Sequence, residues 1–67
     1  MYKVCVSKMF FDLVKGKKVF DYYEEVYKEK KNVIKRVKSL KDVSKYYDRI
    51  IIKVSKGKDK KFFVFEN

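Results

Sequence analysis

Glycine occurs at only two positions in this chain of 67 residues, and proline is absent, so few positions favour a tight turn. Gly16 and Gly57 both lie within lysine-rich segments, KGKK and SKGKDKK, that separate apolar stretches. Glycine adopts positive φ without a steric penalty, so both positions are predicted to be turns. They divide the chain into three segments, which at this length form one domain over residues 1–67.

The first segment opens with a strand pattern. Tyr2, Val4 and Val6 alternate with more polar or smaller residues, the period of two that is typical of a half-buried strand. Residues 9–15, MFFDLVK, allow two interpretations, which their spacing does not separate. They form either a further strand or one to two helical turns that end before Gly16.

The second segment carries apolar residues at steps of three and four, from Val19 to Leu40. This spacing predicts one long amphipathic helix over about 18–38. An alternative ends the helix at Asn32 and makes residues 33–37, VIKRV, a short strand. Ser39 and Asp42 have the spacing of an N-terminal cap, which predicts a second, short helix over about 40–47.

The third segment predicts an antiparallel hairpin around Gly57, with one arm rich in isoleucine and valine and the other in phenylalanine. The fold class is therefore α+β: a small antiparallel sheet packed on a long helix and a short one. Both arms contain unbroken apolar runs, so both sheet faces need cover or a binding role. Either a second subunit covers the face that the helix leaves open, in a homodimer, or that aromatic face is exposed for binding.

Composition excludes several kinds of chemistry. With one cysteine and no histidine, an internal disulfide and the usual zinc ligand sets are excluded, and no metal or cofactor is expected. Histidine-dependent nucleophilic catalysis is excluded too, and no glycine-rich phosphate loop is present, so we expect a non-catalytic protein. The sequence has neither a signal-peptide pattern nor a membrane-spanning stretch, which predicts a cytoplasmic protein, in the host cytoplasm if it is viral.

Charge gives the main functional indication. The net charge is +10, and lysines concentrate in two clusters, residues 28–41 and 53–61. If the two clusters lie on one side, they form a surface for a phosphate backbone. Lysine is a flexible point charge, so binding to nucleic acid is expected to be largely independent of sequence. The predicted contact residues are nine cations and one tyrosine for base stacking: Lys28, Lys31, Lys35, Arg36, Lys38, Lys41, Lys56, Lys58, Lys60 and Tyr22.

Two other functions remain open. One is a small inhibitor of the phage or mobile-element type, which blocks a host or defence protein through an acidic surface on that protein, or sequesters a nucleotide signal. The other comes from the predicted order of strand, long helix, short helix and hairpin, which resembles that of the RelE/ParE toxins, small bacterial ribonucleases and gyrase poisons. This resemblance implies metal-free RNA cleavage by lysine, arginine and tyrosine, and it assigns no catalytic residue to this chain.

Overall fold

A computed structural model describes residues 1–66 as a four-stranded antiparallel sheet with one helix. The elements, in chain order, are strands β1 (Tyr2–Asp12) and β2 (Lys17–Tyr27), helix α1 (Lys30–Val43), a 3-10 turn (Ser44–Tyr46), and strands β3 (Arg49–Lys56) and β4 (Asp59–Glu66). The predicted α+β class, the N-terminal strand and the C-terminal hairpin are confirmed.

Two hairpins, joined by α1, build the sheet in the order β2-β1-β3-β4. Both predicted glycine turns are confirmed: Gly16 has φ +66° and Gly57 has φ +59°. In the first turn the Asp12 carboxylate accepts hydrogen bonds from the backbone N–H groups of Val14 and Lys15, at 2.9 and 3.1 Å. These hydrogen bonds satisfy backbone N–H groups that have no partner on a neighbouring strand in the turn.

The two hairpins meet along β1 and β3, where Val6 is paired with Ile52 and Val4 with Val54. α1 packs across one face of these central strands. The buried core consists of six aliphatic side chains: Val4, Val6, Val33, Leu40, Ile50 and Ile52. The core is small, as expected for a chain of this length, so each of these residues supplies a large share of the buried apolar area.

The predicted helix over 18–38 is wrong in its first half, because residues 17–27 form β2. Six of the eleven residues of β2 are valine, phenylalanine or tyrosine, types that favour strands. Tyr23 and Tyr27 face the helix, whereas Phe20, Tyr22 and Val26 lie on the opposite face. Apolar residues on both faces of a strand produced the spacing that resembled a helical stripe.

The remaining boundaries also differ. β1 continues to Asp12, so residues 9–12 extend the first strand, and residues 13–16 are its turn. Residues 33–37 belong to α1, so the alternative short strand there is wrong. The helix continues past Ser39 to Val43, and only the 3-10 turn follows, so the predicted cap at Ser39 is wrong. Ser44 instead ends the helix, where its Oγ donates a hydrogen bond to the carbonyl of Lys41 at 2.6 Å.

The β1–β2 hairpin extends the molecule, which measures 39 × 19 × 15 Å along its principal axes. At the tip of this hairpin Leu13 and Val14 are 87% and 98% exposed. Within residues 1–66, the single α-helix is too short and too polar to cross a membrane.

Candidate nucleic-acid interface

A cleft of about 770 Å³ lies between α1 and the β3–β4 hairpin. Its floor is apolar, with Val33 and Val37 of the helix opposite Val54, Phe63 and Phe65 of the sheet. α1 does not fill the space above the C-terminal hairpin. The result is an apolar depression in an otherwise strongly basic molecule.

Six lysines surround this cleft, against one acidic residue, Asp59. The helix and the hairpin contribute three each: Lys30, Lys38, Lys41, Lys56, Lys60 and Lys61. We call these six residues the cleft lysines. The fold thus brings three lysines of each sequence cluster together at one site.

The cleft lysines are all exposed, and none takes part in the four ion pairs found within residues 1–66. Two of them lie against aromatic rings. The Nζ of Lys56 is 4.8 Å from the ring centroid of Tyr2, and that of Lys61 is 5.3 Å from the ring centroid of Phe63. Such contacts hold an ammonium group near the cleft without neutralising it. The charge is therefore available to an anionic ligand.

The other predicted contact residues are dispersed. Lys28 lies between β2 and α1, and Lys58 lies in the turn of the C-terminal hairpin. Lys31 and Lys35 are exposed on α1 but do not line the cleft, and Lys31 is paired with Glu29 at 3.2 Å. Four of the ten predicted residues, Lys38, Lys41, Lys56 and Lys60, therefore meet at one site.

Arg36 has a structural position that the sequence did not indicate. Its Nε donates to Oε1 of Glu25 at 2.8 Å, and its NH2 nitrogen donates to the hydroxyl of Tyr23 at 3.0 Å. The hydroxyl of Tyr27 donates to the same Glu25 oxygen. The hydrogen bond with the Glu25 carboxylate raises the pKa of Arg36. These bonds fix α1 to β2 and leave Arg36 little capacity to contact a ligand.

Tyr22 lies on the sheet face that α1 does not cover, far from the cleft floor. It is 58% exposed, and its hydroxyl donates to Oε1 of Glu24 at 2.8 Å. The pKa of Tyr22 is raised, first by a hydrogen bond with Cys5 and then by the one with Glu24. The structure therefore places the predicted stacking residue on a second surface.

Sequence reasoning missed Lys30 and Lys61 as members of the site. Lys30, Ile34, Lys38 and Lys41 follow helical steps of four, four and three, so they occupy one side of α1. That periodicity was present in the sequence, but it was obscured by the predicted helix start at 18. Lys61 is paired with Val54 across the hairpin, a register that no local pattern specifies.

The residues that the structure describes contain no cluster of three or more histidine, cysteine, aspartate or glutamate side chains able to hold a metal ion. No family model, no curated protein and no solved structure matches the chain. The element order behind the resemblance to RelE/ParE toxins also differs, since β2 occupies the place of the first half of the predicted long helix. The cleft and the sheet face that carries Tyr22 are therefore the two surfaces that indicate a function.

Proposed function

We propose that this protein binds nucleic acid through the cleft lysines, without catalysis and largely without sequence preference. The observation that carries the proposal is the convergence of lysines from two separate clusters at one cleft with a single acidic residue. Phosphate oxygens provide the complementary charge, and each phosphate contact releases counterions from the nucleic acid. We place this binding in the cytoplasm, which is the host cytoplasm if the protein is viral.

The low sequence preference follows from the available side chains. Arginine reads guanine through its forked donors, whereas lysine supplies a point charge. The chain has two arginines, and both are paired: Arg36 with Glu25 at 2.8 Å and Arg49 with Glu66 at 3.1 Å. Recognition therefore depends on phosphates rather than on base edges in the grooves.

The test is fluorescence anisotropy with a labelled single-stranded oligonucleotide at several salt concentrations. The cleft variant combines Lys38→Gln, Lys41→Gln and Lys61→Gln. The matched control combines Lys31→Gln, Lys35→Gln and Lys45→Gln, exposed positions that remove the same charge away from the cleft. We expect the cleft variant to lower the slope of log affinity against log salt by about 0.7 for each lost phosphate contact. The control should change the slope by less than the amount expected for the loss of one phosphate contact.

Two results would contradict this proposal. One is wild-type affinity that does not change with salt. The other is an equal effect of the two triple variants, since general charge loss would then explain the binding and the cleft would have no special part.

A second candidate is the inhibitor that binds and blocks a protein, and the hairpin tip is the observation that favours it. Leu13 and Val14 project from the end of β1–β2 with Lys15, Lys17 and Lys18 beside them. An apolar tip with basic flanks is suited to a hydrophobic pocket with an acidic rim. Co-purification from a nuclease-treated lysate tests this: a stoichiometric protein partner that is lost with Leu13→Asp supports it, and no such partner contradicts it.

A further inference from the structure

Within residues 1–66, one face of the sheet is not covered by another element. α1 packs on one side of the sheet, and alternation along each strand sends the other side chains to the opposite face. We call this side the uncovered face. Its two central strands contribute side chains of mixed size, among them Cys5, Ser7 and Phe11 of β1 and Ile51 of β3. The outer strands β2 and β4 contribute aromatic rings.

Three aromatic side chains on the outer strands are unusually exposed. Phe20 and Tyr22 of β2 are 75% and 58% exposed, and Phe62 of β4 is 62% exposed. Residues two apart on a strand lie about 7 Å from each other, and β4 is three strand spacings, about 14 Å, from β2. The rings therefore lie in two separate groups, one on each outer strand.

The net charge of the uncovered face indicates which kind of ligand it can bind. Alternation places five basic residues there, Lys3, Lys18, Arg49, Lys53 and Lys60. The two acidic residues are Glu24 and Glu66, so the net charge is 5 − 2 = +3. Both acids are already paired, Glu24 with Lys3 at 3.0 Å and Glu66 with Arg49 at 3.1 Å. A second copy of this chain would place a positively charged face against another positively charged face. A polyanion carries the opposite charge and is attracted to it.

Tyr22 is held in position before any ligand arrives. Its hydroxyl donates to Glu24, whose carboxylate also accepts from Lys3. A ring that is already oriented loses less side-chain freedom on binding. The polar end of the Tyr22 side chain thus stays bonded to the protein while 58% of the residue remains exposed.

We propose that the uncovered face stacks the unpaired bases of a single strand of nucleic acid on Phe20, Tyr22 and Phe62, an inference that rests on the proposed function. Every base has a π-face, so stacking of this kind tolerates any sequence. Bases within a duplex are stacked on one another and are not available to these rings. The ligand class is therefore single-stranded DNA or RNA.

Edge strand β4 connects this surface to the cleft. Lys60 belongs to the uncovered face by alternation and also lines the cleft, while its neighbour Lys61 is on the cleft side. A single strand of nucleic acid that crosses the edge of β4 thus meets lysines on both faces of the sheet. The two surfaces form one continuous path for a phosphate backbone.

The experiment compares two fluorescent probes of equal length: an oligothymidylate and an abasic strand with the same phosphodiester backbone. We expect the wild-type protein to bind oligothymidylate at least about tenfold more tightly, because stacking adds about 1–3 kcal/mol per base. The variant with Phe20→Ala, Tyr22→Ala and Phe62→Ala should bind both probes equally. Tyr22→Phe, which keeps the ring, should retain the difference.

Tyr46→Ala is the matched control, because Tyr46 is an exposed tyrosine on the 3-10 turn, outside the uncovered face. It should leave the discrimination unchanged, and circular dichroism should show that every variant is folded. An oligouridylate probe separates a preference for RNA from one for DNA. A duplex probe of the same length should lose no affinity in the aromatic triple variant.

Three results would overturn the inference. They are equal wild-type affinity for the base-bearing and abasic probes, discrimination that survives the aromatic triple variant, and a wild-type dimer that this variant converts to a monomer in sedimentation. The last would identify the uncovered face as a self-association surface. If the cleft variant still weakens binding to both probes, the proposed function stands while this inference fails.

Discussion

The guanidinium of Arg36 in α1 lies 2.8 Å from the carboxylate of Glu25 in β2, so the helix is bonded to an outer strand of the sheet. In a continuous helix these two residues, eleven positions apart, would be separated by about 16 Å along the axis. Both side chains are partly buried, with 29% and 28% of their surfaces exposed. The two side chains therefore meet only because residues 17–27 form a strand and the chain changes direction between that strand and the helix.

A double-mutant cycle on Glu25→Gln and Arg36→Met should give a coupling free energy of about 1–3 kcal/mol, since a charge-assisted hydrogen bond with limited exposure is screened weakly by solvent. The control is the same cycle on Glu29 and Lys31, whose side chains are 59% and 71% exposed. That pair should contribute no more than about 1 kcal/mol. Urea denaturation measures both cycles, and equal coupling in the two pairs would contradict the structural role of Arg36.

The two leucines of the chain provide a matched test of the core. Leu40 is 1% exposed and contacts the sheet, whereas Leu13 is 87% exposed at the hairpin tip. Leu40→Ala should lower the free energy of unfolding by about 2–5 kcal/mol, a large part of the stability of a domain this small. Leu13→Ala should change it by less than about 0.5 kcal/mol. Thermal unfolding monitored by circular dichroism gives both values, and similar losses would show that the core is misassigned.

The C-terminal hairpin turn depends on backbone conformation at one position. Gly57 has positive φ, and nothing lies within 4 Å of a Cβ built there, so substitution introduces conformational strain without a steric clash. Gly57→Ala should lower the free energy of unfolding by about 1–2 kcal/mol. Lys58→Ala, at the adjacent turn position with ordinary φ, should cost far less. Chemical denaturation compares the two, and an equal cost would contradict the turn geometry.

The Lys3–Glu24 pair on the uncovered face predicts a specific dependence of stability on pH. The hydrogen bond from Lys3, followed by that from Tyr22, lowers the pKa of Glu24. A carboxyl group whose pKa is lower in the folded state stabilises the fold above its unfolded pKa, about 4.3, and loses this contribution as the pH falls through the folded pKa.

The wild-type protein should therefore have a higher Tm than Glu24→Gln at pH 6, and the difference should disappear near pH 2. Lys3→Gln should show the same pH profile, because it removes the other partner. Scanning calorimetry across this pH range measures the effect. A Tm difference that persists undiminished at pH 2 would mean that the Glu24 carboxylate is not its source.

Much of the fold was accessible from local patterns. Alternation at Tyr2, Val4 and Val6 correctly predicted β1, and the apolar arms around Gly57 correctly predicted the C-terminal hairpin. Gly16 was correctly identified as a turn, but its role as the turn of a second hairpin was not. The sequences KGK at residues 15–17 and 56–58 are identical, and both lie at the turn that leads into a return strand. That repetition was the available signal for β2.

The candidate site was only partly predictable, for a similar reason. The two lysine clusters are visible in the sequence, and three lysines of each meet at the cleft. Which lysines meet there depends on the helix start at Lys30 and on the register between β3 and β4. Arg36 is an example of a residue whose role could not be predicted. Its sequence neighbours suggest a free cation, whereas its partner Glu25 lies on another element.

The sequence by itself determined the α+β class, the two turns, the strongly basic character and the absence of histidine chemistry, because these follow from residue type and short-range periodicity. Only the tertiary structure decided that residues 17–27 are a strand. Their apolar side chains fit a helical stripe as well as a two-faced strand, and pairing with β1 along its full length resolves that ambiguity. The same long-range pairing assembled the cleft lysines and left one aromatic face of the sheet without cover.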